Sequence, residues 1–302
     1  MNEFLDLKLL ASFLVLAEEL NFTRAAKRLH MTQPPLSLQI KQLETRLSTP
    51  LFERTNRYVR LTPAGETLRT EAEKLLAMNK LAQQLVMQVG RGEGGGHLSI
   101  GFTAVASIYF VPEVLKRFKQ QTSGVIFSLQ DMGSDAQQSA LLRNELDVGF
   151  VRPPVVDSRL EAFCVQREPH VLAIPSDHRL ASAPSLQVYD LQGEELVTYE
   201  RQAGRYVYEL TMRWLSNNNV LPSRHHDVGH HNSLISVVSA GLGVALVPRS
   251  VSLRPISGIV FREFTHGPVP PDIELWITFR KRPSNPLAAR IIEIAAQLGA
   301  EP

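Results

Sequence analysis

Apolar positions along the first ninety residues repeat at helical spacing. Leu7, Leu10, Leu14 and Ala17 predict a helix over Leu7–Glu19. Thr23 is the expected N-cap of a second helix, in which Ala25, Ala26 and Leu29 supply small packing residues. Thr32 or Gln33 starts a third, with Pro34 and Pro35 in its first turn, where a missing N–H costs little. Leu36, Ile40, Leu43 and Leu47 fall on one inner stripe of that helix; Pro34, Leu38, Lys41 and Thr45 lie opposite, flanked by Ser37 and Gln42. Residues 51–62 read as two short strands around a turn at Thr55–Asn56. Thr62 and Pro63 then read as N-cap and first residue of a long helix to about Val89. Its stripe, Leu68, Ala72, Leu75, Met78, Ala82, Leu85 and Val89, needs cover, and a second copy of the helix is the expected one. GRGEGGG over 90–96 predicts a hinge.

Past the hinge the periodicity switches between strand and helix, which predicts βαβ units around parallel sheets. Expected strands cover 98–103, 125–132, 146–152, 170–175, 195–200, 225–228, 243–248 and 272–280. Expected helices cover 110–121, 134–144, 206–217, 233–240 and 286–298.

Composition adds little until charge is mapped. The chain has 302 residues and a formal net charge of +2. Residues 21–60 alone hold eight Lys/Arg (Arg24, Lys27, Arg28, Lys41, Arg46, Arg54, Arg57, Arg60) against two acids, Glu44 and Glu53. A helix pair with a basic hairpin points to a winged helix-turn-helix on double-stranded DNA. In that arrangement the second helix enters the major groove and its N-terminal part meets base edges. Gln33, Ser37 and Lys41 are the expected polar contacts, and Leu38 is placed to meet a thymine methyl. Arg54, Arg57 and Arg60 suit phosphates, which give affinity with little sequence information. Thr23, Arg24, Thr32 and Pro34 complete the expected DNA-contacting set.

No apolar run approaches a membrane span of ~20 residues. The apolar N-terminus lacks the basic region and cleavage site of a signal peptide. The single cysteine, Cys164, rules out an intramolecular disulfide and fits a reducing cytosol. His225, His226, His230 and His231 lie close in sequence, but adjacent strand residues face opposite ways and no further ligand pattern completes a metal site. Gly241 and Gly243 follow a helix and precede a strand, the wrong order for a dinucleotide fingerprint. No P-loop, Ser–His–Asp set or carboxylate pair stands out, so neither an enzyme nor a cofactor is expected. A solute-binding protein shares the expected C-terminal architecture but not the basic N-terminal segment.

NFTRAAKRLHMTQPPLSLQIKQLE followed by PLFERTNRYVRLTPAG closely resembles the N-terminal signature of LysR-type transcriptional regulators. The likeness is most specific over residues 5–66 and continues as a pattern of elements. It implies an all-α-dominated winged helix-turn-helix (1–62), a linker and dimerisation helix (63–89) and a hinge (90–96). A two-lobed α/β effector domain resembling periplasmic binding proteins follows (97–302). Subdomain I is expected over about 97–167 and 268–302, and subdomain II over about 168–267. The resemblance also implies a dimer of dimers in the cytoplasm, an interrupted palindrome as operator, RNA polymerase as a partner, and a small-molecule effector. One departure bears on base preference: many relatives carry Arg where this chain has Leu38.

Ligands of open α/β sheets sit beyond the carboxyl ends of strands. That rule selects Thr103, Ala104 and Val105, then Ser134 at a helix start, Arg152 as a bidentate carboxylate partner, Thr198 and Tyr199, and Asn232 and Ser233 opening a helix. Arg152 and Ser134 at one cleft predict a small organic anion, an aromatic or dicarboxylic acid.

Overall fold

The computed structural model describes residues 4–54, 58–91, 95–202, 204–283 and 285–301. They divide into two compact units, with the boundary between residues 93 and 94.

In the N-terminal unit, α1 (Leu7–Glu19) starts at Asp6, whose carboxylate accepts the Lys8 N–H (2.8 Å). Its buried face differs from the expected stripe. Leu9, Leu10, Phe13, Leu16 and Ala17 are inside, whereas Leu7 is exposed and Leu14 only half-buried. The reason is that α1 is the central helix: it packs against α2 (Phe22–Arg28), α3 (Gln33–Leu47) and α4 (Pro63–Gly90), so a wide arc is covered. Phe13 also meets the Phe52 ring at 5.4 Å.

Asn21, not Thr23, caps α2: its Oδ1 accepts the Arg24 N–H at 3.0 Å, and Thr23 lies inside the helix. Asn is as good a cap as Ser or Asp, and it stands two residues earlier. In α3 the stripe holds, with Leu36, Ile40 and Leu43 buried and Leu47 half-buried. After α3, Glu44 Oε1 accepts the Leu51 and Phe52 N–H groups (2.9 and 3.3 Å), fixing the entry to the wing. The wing pairs β1 (Phe52–Arg54) with β2 (Val59–Leu61) in antiparallel register. Its expected turn, Thr55 and Asn56, and Arg57 lie outside the described residues, as does the Arg54 side chain.

Thr62 caps α4 as expected. Its hydroxyl accepts the Gly65 N–H (3.0 Å) and donates to the Pro50 carbonyl (2.8 Å). Gly65 is required there, because a Cβ would stand 2.3 Å from the Leu51 carbonyl oxygen. Of the α4 stripe, Ala72 is buried and Leu68 and Leu85 are half-buried. Leu75, Met78 and Ala82 of the stripe are exposed, as are Val86 and Met87 beside it. The Val89 side chain is outside the described residues.

The C-terminal unit has two lobes. The first is a five-stranded sheet in the order β4 (Val125–Asp131), β3 (Gly96–Phe102), β5 (Val148–Val151), β12 (Ile273–Arg280), β6 (Leu160–Glu168). β3 runs parallel to β4 and β5; β12 runs antiparallel to β5 and β6. Helices α5 (Phe110–Gln121) and α9 (Pro286–Gly299) bury Phe110, Val114, Phe118, Ile291 and Ala295 with Leu98, Ile100, Phe150, Leu275 and Ile277. Helix α6 (Ser134–Leu142) packs on β5.

The second lobe sets β7 (His170–Pro175) between β10 (Ala245–Pro248) and β11 (Ile259–Arg262), both antiparallel to it. A parallel pair, β8 (Glu195–Tyr199) and β9 (Arg224–Val228), joins this sheet through a Leu196–Val244 bridge. Helices α7 (Arg205–Asn217) and α8 (His231–Ser239) complete the lobe.

Parallel sheets were the expectation, and both sheets are mixed. Periodicity carries no strand direction: β12 and β10, both foreseen, run antiparallel to β5 and β7. It also did not reveal two further strands. β6 is an edge strand whose Glu161, Gln166 and Arg167 break any apolar run, and β11 is only four residues long. Both return the chain antiparallel.

Candidate functional sites

The outer face of α3 is open along its length. Gln33, Pro34, Pro35, Leu38, Lys41, Gln42 and Thr45 are exposed and Ser37 is half-buried. Thr32, the N-cap residue, is exposed and makes no side-chain capping bond. Thr23 Oγ1 donates to Gln33 Oε1 at 3.5 Å, bringing the start of α2 to the start of α3.

Two of the expected cations have partners that lie just outside the 21–60 window. Arg24 donates to the Glu19 carboxylate (3.2 Å) and carbonyl (2.5 Å), and Arg28 pairs with Glu18 (2.6 Å) and Glu19 (3.2 Å). The hydrogen bond to Glu18, then that to Glu19, holds the Arg28 guanidinium above its ordinary pKa. Because these pairs are exposed, a phosphate can displace them at little cost. On the wing, the Arg60 guanidinium stands 4.6 Å over the Tyr58 ring. That cation–π contact orients the charge without neutralising it.

In the C-terminal unit two of the predicted residues, Ser134 and Arg152, are in contact. Ser134 is the first residue of α6, and its hydroxyl accepts the Arg152 N–H (2.9 Å). Arg152 itself is 8% exposed. One guanidinium nitrogen donates to the Glu274 carbonyl (2.7 Å) and another stands 4.0 Å from Glu168. Glu168 also accepts the Ser250 N–H at 2.7 Å. Burial lowers the Arg152 pKa, and Glu168, Tyr199 and Tyr206 act against that. The guanidinium expected to be open for a bidentate carboxylate is thus already engaged across both strands that link the lobes.

Tyr199 bridges to the second helix. Its hydroxyl meets His231 Nδ1 at 2.9 Å, and His231 is the first residue of α8. Burial pushes the Tyr199 pKa well up and that of His231 down to about 4, so both are neutral at pH 7. Helix α8 therefore opens at His231, with Asn232 and Ser233 exposed one and two residues later. From the same lobe, the Tyr206 hydroxyl accepts the Glu274 N–H (3.3 Å).

Thr103 ends β3 with a buried, unpartnered hydroxyl among the described residues. Ala104 and Val105 begin a short 3-10 turn, Ala104–Ser107. Thr198 departs from expectation: its hydroxyl donates to Asp227 (2.8 Å) on the neighbouring strand and is not offered to a ligand. Sequence reasoning missed Tyr206, Glu168, Glu274 and His231. The signal for His231 was present, since it follows β9 and precedes an apolar helix, the same position that marked Ser134.

Among the described residues no group of three His, Cys, Asp or Glu is placed to hold a metal, and His226 instead contacts Glu195 at 2.7 Å. No helix among them is long and apolar enough to cross a membrane.

A winged helix-turn-helix with an open α3 face, joined by a long helix to a two-lobed α/β unit, defines a class: DNA-binding regulators with a ligand-binding module. The comparisons narrow it. Residues 7–66 match the family model "Bacterial regulatory helix-turn-helix protein, lysR family", and residues 91–300 match "LysR substrate binding domain". The HTH-type transcriptional regulator AlsR of Bacillus subtilis (strain 168) is 33% identical over 291 residues, covering 96% of this chain and 95% of that protein. The Hca operon transcriptional activator HcaR of Escherichia coli (strain K12) is 31% identical over 296 residues, with 97% and 98% covered. Among solved structures, full-length CbnR complexed with its target DNA matches with a TM-score of 0.85 at 25% identity, covering 97% of this chain and all of that one. Full-length BenM matches at 0.60 and 26%, with 98% and 97% covered. The chain belongs to the LysR family of DNA-binding transcriptional regulators, whose members are not enzymes.

Proposed function

We propose that this regulator's grip on its promoter is set by a small organic acid, aromatic or dicarboxylic, bound where the two C-terminal lobes meet. One observation carries the reading. Ser134, the first residue of α6, accepts the Arg152 N–H, and Tyr199 meets His231, the first residue of α8, while the buried Arg152 charge acts electrostatically on Tyr199. Helix N-termini carry partial positive charge and free N–H groups, which favour an anion. The neutral Tyr199–His231 pair adds a flat surface with hydrogen-bonding edges, which suits an aromatic acid. In this reading Ser134, Thr103, Ala104, Val105, Tyr199, Asn232 and Ser233 line the site. Arg152 acts from beneath it as a fixed charge, and Thr198 contributes backbone only.

On the DNA side, Gln33, Ser37, Leu38 and Lys41 meet bases. Thr23, Arg24, Thr32, Pro34, Arg54, Arg57 and Arg60 position the backbone of an interrupted palindrome. The bare part of the α4 stripe, from Leu75 to Ala82, pairs two chains, and pairs assemble as a dimer of dimers that meets RNA polymerase in the cytoplasm. Thermal unfolding of the full chain across a panel of aromatic and dicarboxylic acids tests the effector class, because ligand bound to the native state raises apparent stability by mass action. A saturable rise with at least one acid, lost in Ser134→Ala, is expected. Stabilisation only by neutral compounds would overturn the acid assignment.

A further inference from the structure

The recognition face of α3 has an apolar centre. Leu38 is 57% exposed, the side chain farthest out of place on a face otherwise edged with polar groups. One turn back lie Pro34 and Pro35, also exposed; one turn on lie Lys41 and Gln42. The three apolar side chains can neither donate nor accept a hydrogen bond, so the polar groups Gln33, Ser37 and Lys41 stand around them rather than among them. A single exposed leucine is ordinary on a protein surface. This one lies at the middle of the helix face that a groove would cover, between two polar residues placed to meet base edges.

In the major groove the thymine 5-methyl is the apolar feature that a leucine can bury; the other edges offer donors and acceptors. We infer that Leu38 reads one thymine methyl in each half-site, and that operator recognition at that position depends on the methyl group and not on hydrogen bonding. This rests on α3 being the base-reading helix. A consequence follows for modified DNA. Cytosine methylated at carbon 5 carries the same methyl at the same groove position, so it imitates thymine there, whereas unmodified cytosine does not.

The test uses the full chain and an operator selected from a random duplex library, with each thymine replaced in turn by deoxyuridine. The wild type should lose about fourfold in affinity per half-site at one symmetry-related thymine pair, from the burial lost with one methyl. Leu38→Ala should bind the thymine and uracil duplexes alike. At the same position the wild type should prefer 5-methylcytosine over cytosine. Because Leu38 is exposed, the variant keeps the core of the unit intact, and an unchanged urea midpoint checks this. If no thymine distinguishes wild type from Leu38→Ala while Gln33→Ala still changes base preference, the leucine role is wrong and the helix assignment stands. If neither substitution alters preference, α3 is not the reading helix and both statements fall.

Discussion

Replacing Arg152 by methionine should destabilise the C-terminal unit as well as weaken ligand binding. The side chain is 8% exposed and joins β5 to Glu274 on β12 (2.7 Å), with Glu168 on β6 at 4.0 Å. A hydrogen bond from a charged donor contributes roughly 1.5–3 kcal/mol net. Removing one partner of a buried ion pair costs about 3–5 kcal/mol, because the other charge is left without compensation. The two terms overlap, and the 4.0 Å separation favours the lower end, so a loss of about 3 kcal/mol is expected. With a urea slope of about 1–3 kcal/mol per molar, the midpoint should fall by at least ~1 M. Both tryptophans of the chain, Trp214 and Trp276, lie in this unit, so fluorescence reports its unfolding directly. Glu168→Met added to Arg152→Met should restore part of the loss, since the pair is then removed together. A midpoint within ~0.2 M of wild type would refute the reasoning, since even the smallest of these terms shifts it further. Acid affinity should fall at the same time, because the fixed charge beneath the site is lost; an unchanged affinity would remove Arg152 from the site.

Three further outcomes follow. His170 and His231 are buried, and burial holds both near a pKa of about 4 against an ordinary 6.5. The unfolded chain takes up these protons first as pH falls, so their stability contribution is complete above about 6.5 and drains away towards 4; the slope of urea midpoint against pH in that window should flatten in His231→Gln. Glu18→Gln with Glu19→Gln releases Arg24 and Arg28, and non-specific DNA affinity at low salt should rise roughly two- to tenfold, the gain shrinking as salt is added; an unchanged affinity would mean those arginines do not face DNA. Gly65→Ala forces a Cβ to 2.3 Å from the Leu51 carbonyl, and thermal unfolding of the N-terminal unit should come several degrees earlier, with the C-terminal transition unmoved.

Local chemistry was legible in the sequence wherever it decides structure over a few residues. The Thr62–Pro63 helix start, the two prolines opening α3 and the Leu36–Ile40–Leu43 stripe all stand where spacing put them. Competition between neighbours was harder to see: Asn21 outbid Thr23 as a cap by position, and α1 turned a broader face inward because three helices surround it. What spacing cannot carry is pairing across the fold. Arg152 meets Glu274 across 122 positions of chain. Its role as a tie between linking strands could not be read from a residue at the end of one strand. Thr198 turned to Asp227 for the same kind of reason, since a strand-end hydroxyl can serve the neighbouring strand as readily as a ligand. The edge strand β6 escaped because polar residues interrupt it, and the antiparallel direction of β12, a strand the spacing did reveal, was not legible because periodicity carries no direction.

The most direct measurement is a gel shift of the full chain on the DNA adjoining its own coding region, at moderate salt, with and without the acid that raises its thermal stability. The account predicts a specific complex that survives competitor DNA, and a change in its footprint or mobility when the acid is added. A specific complex indifferent to every stabilising acid, or no specific complex at all, would contradict it.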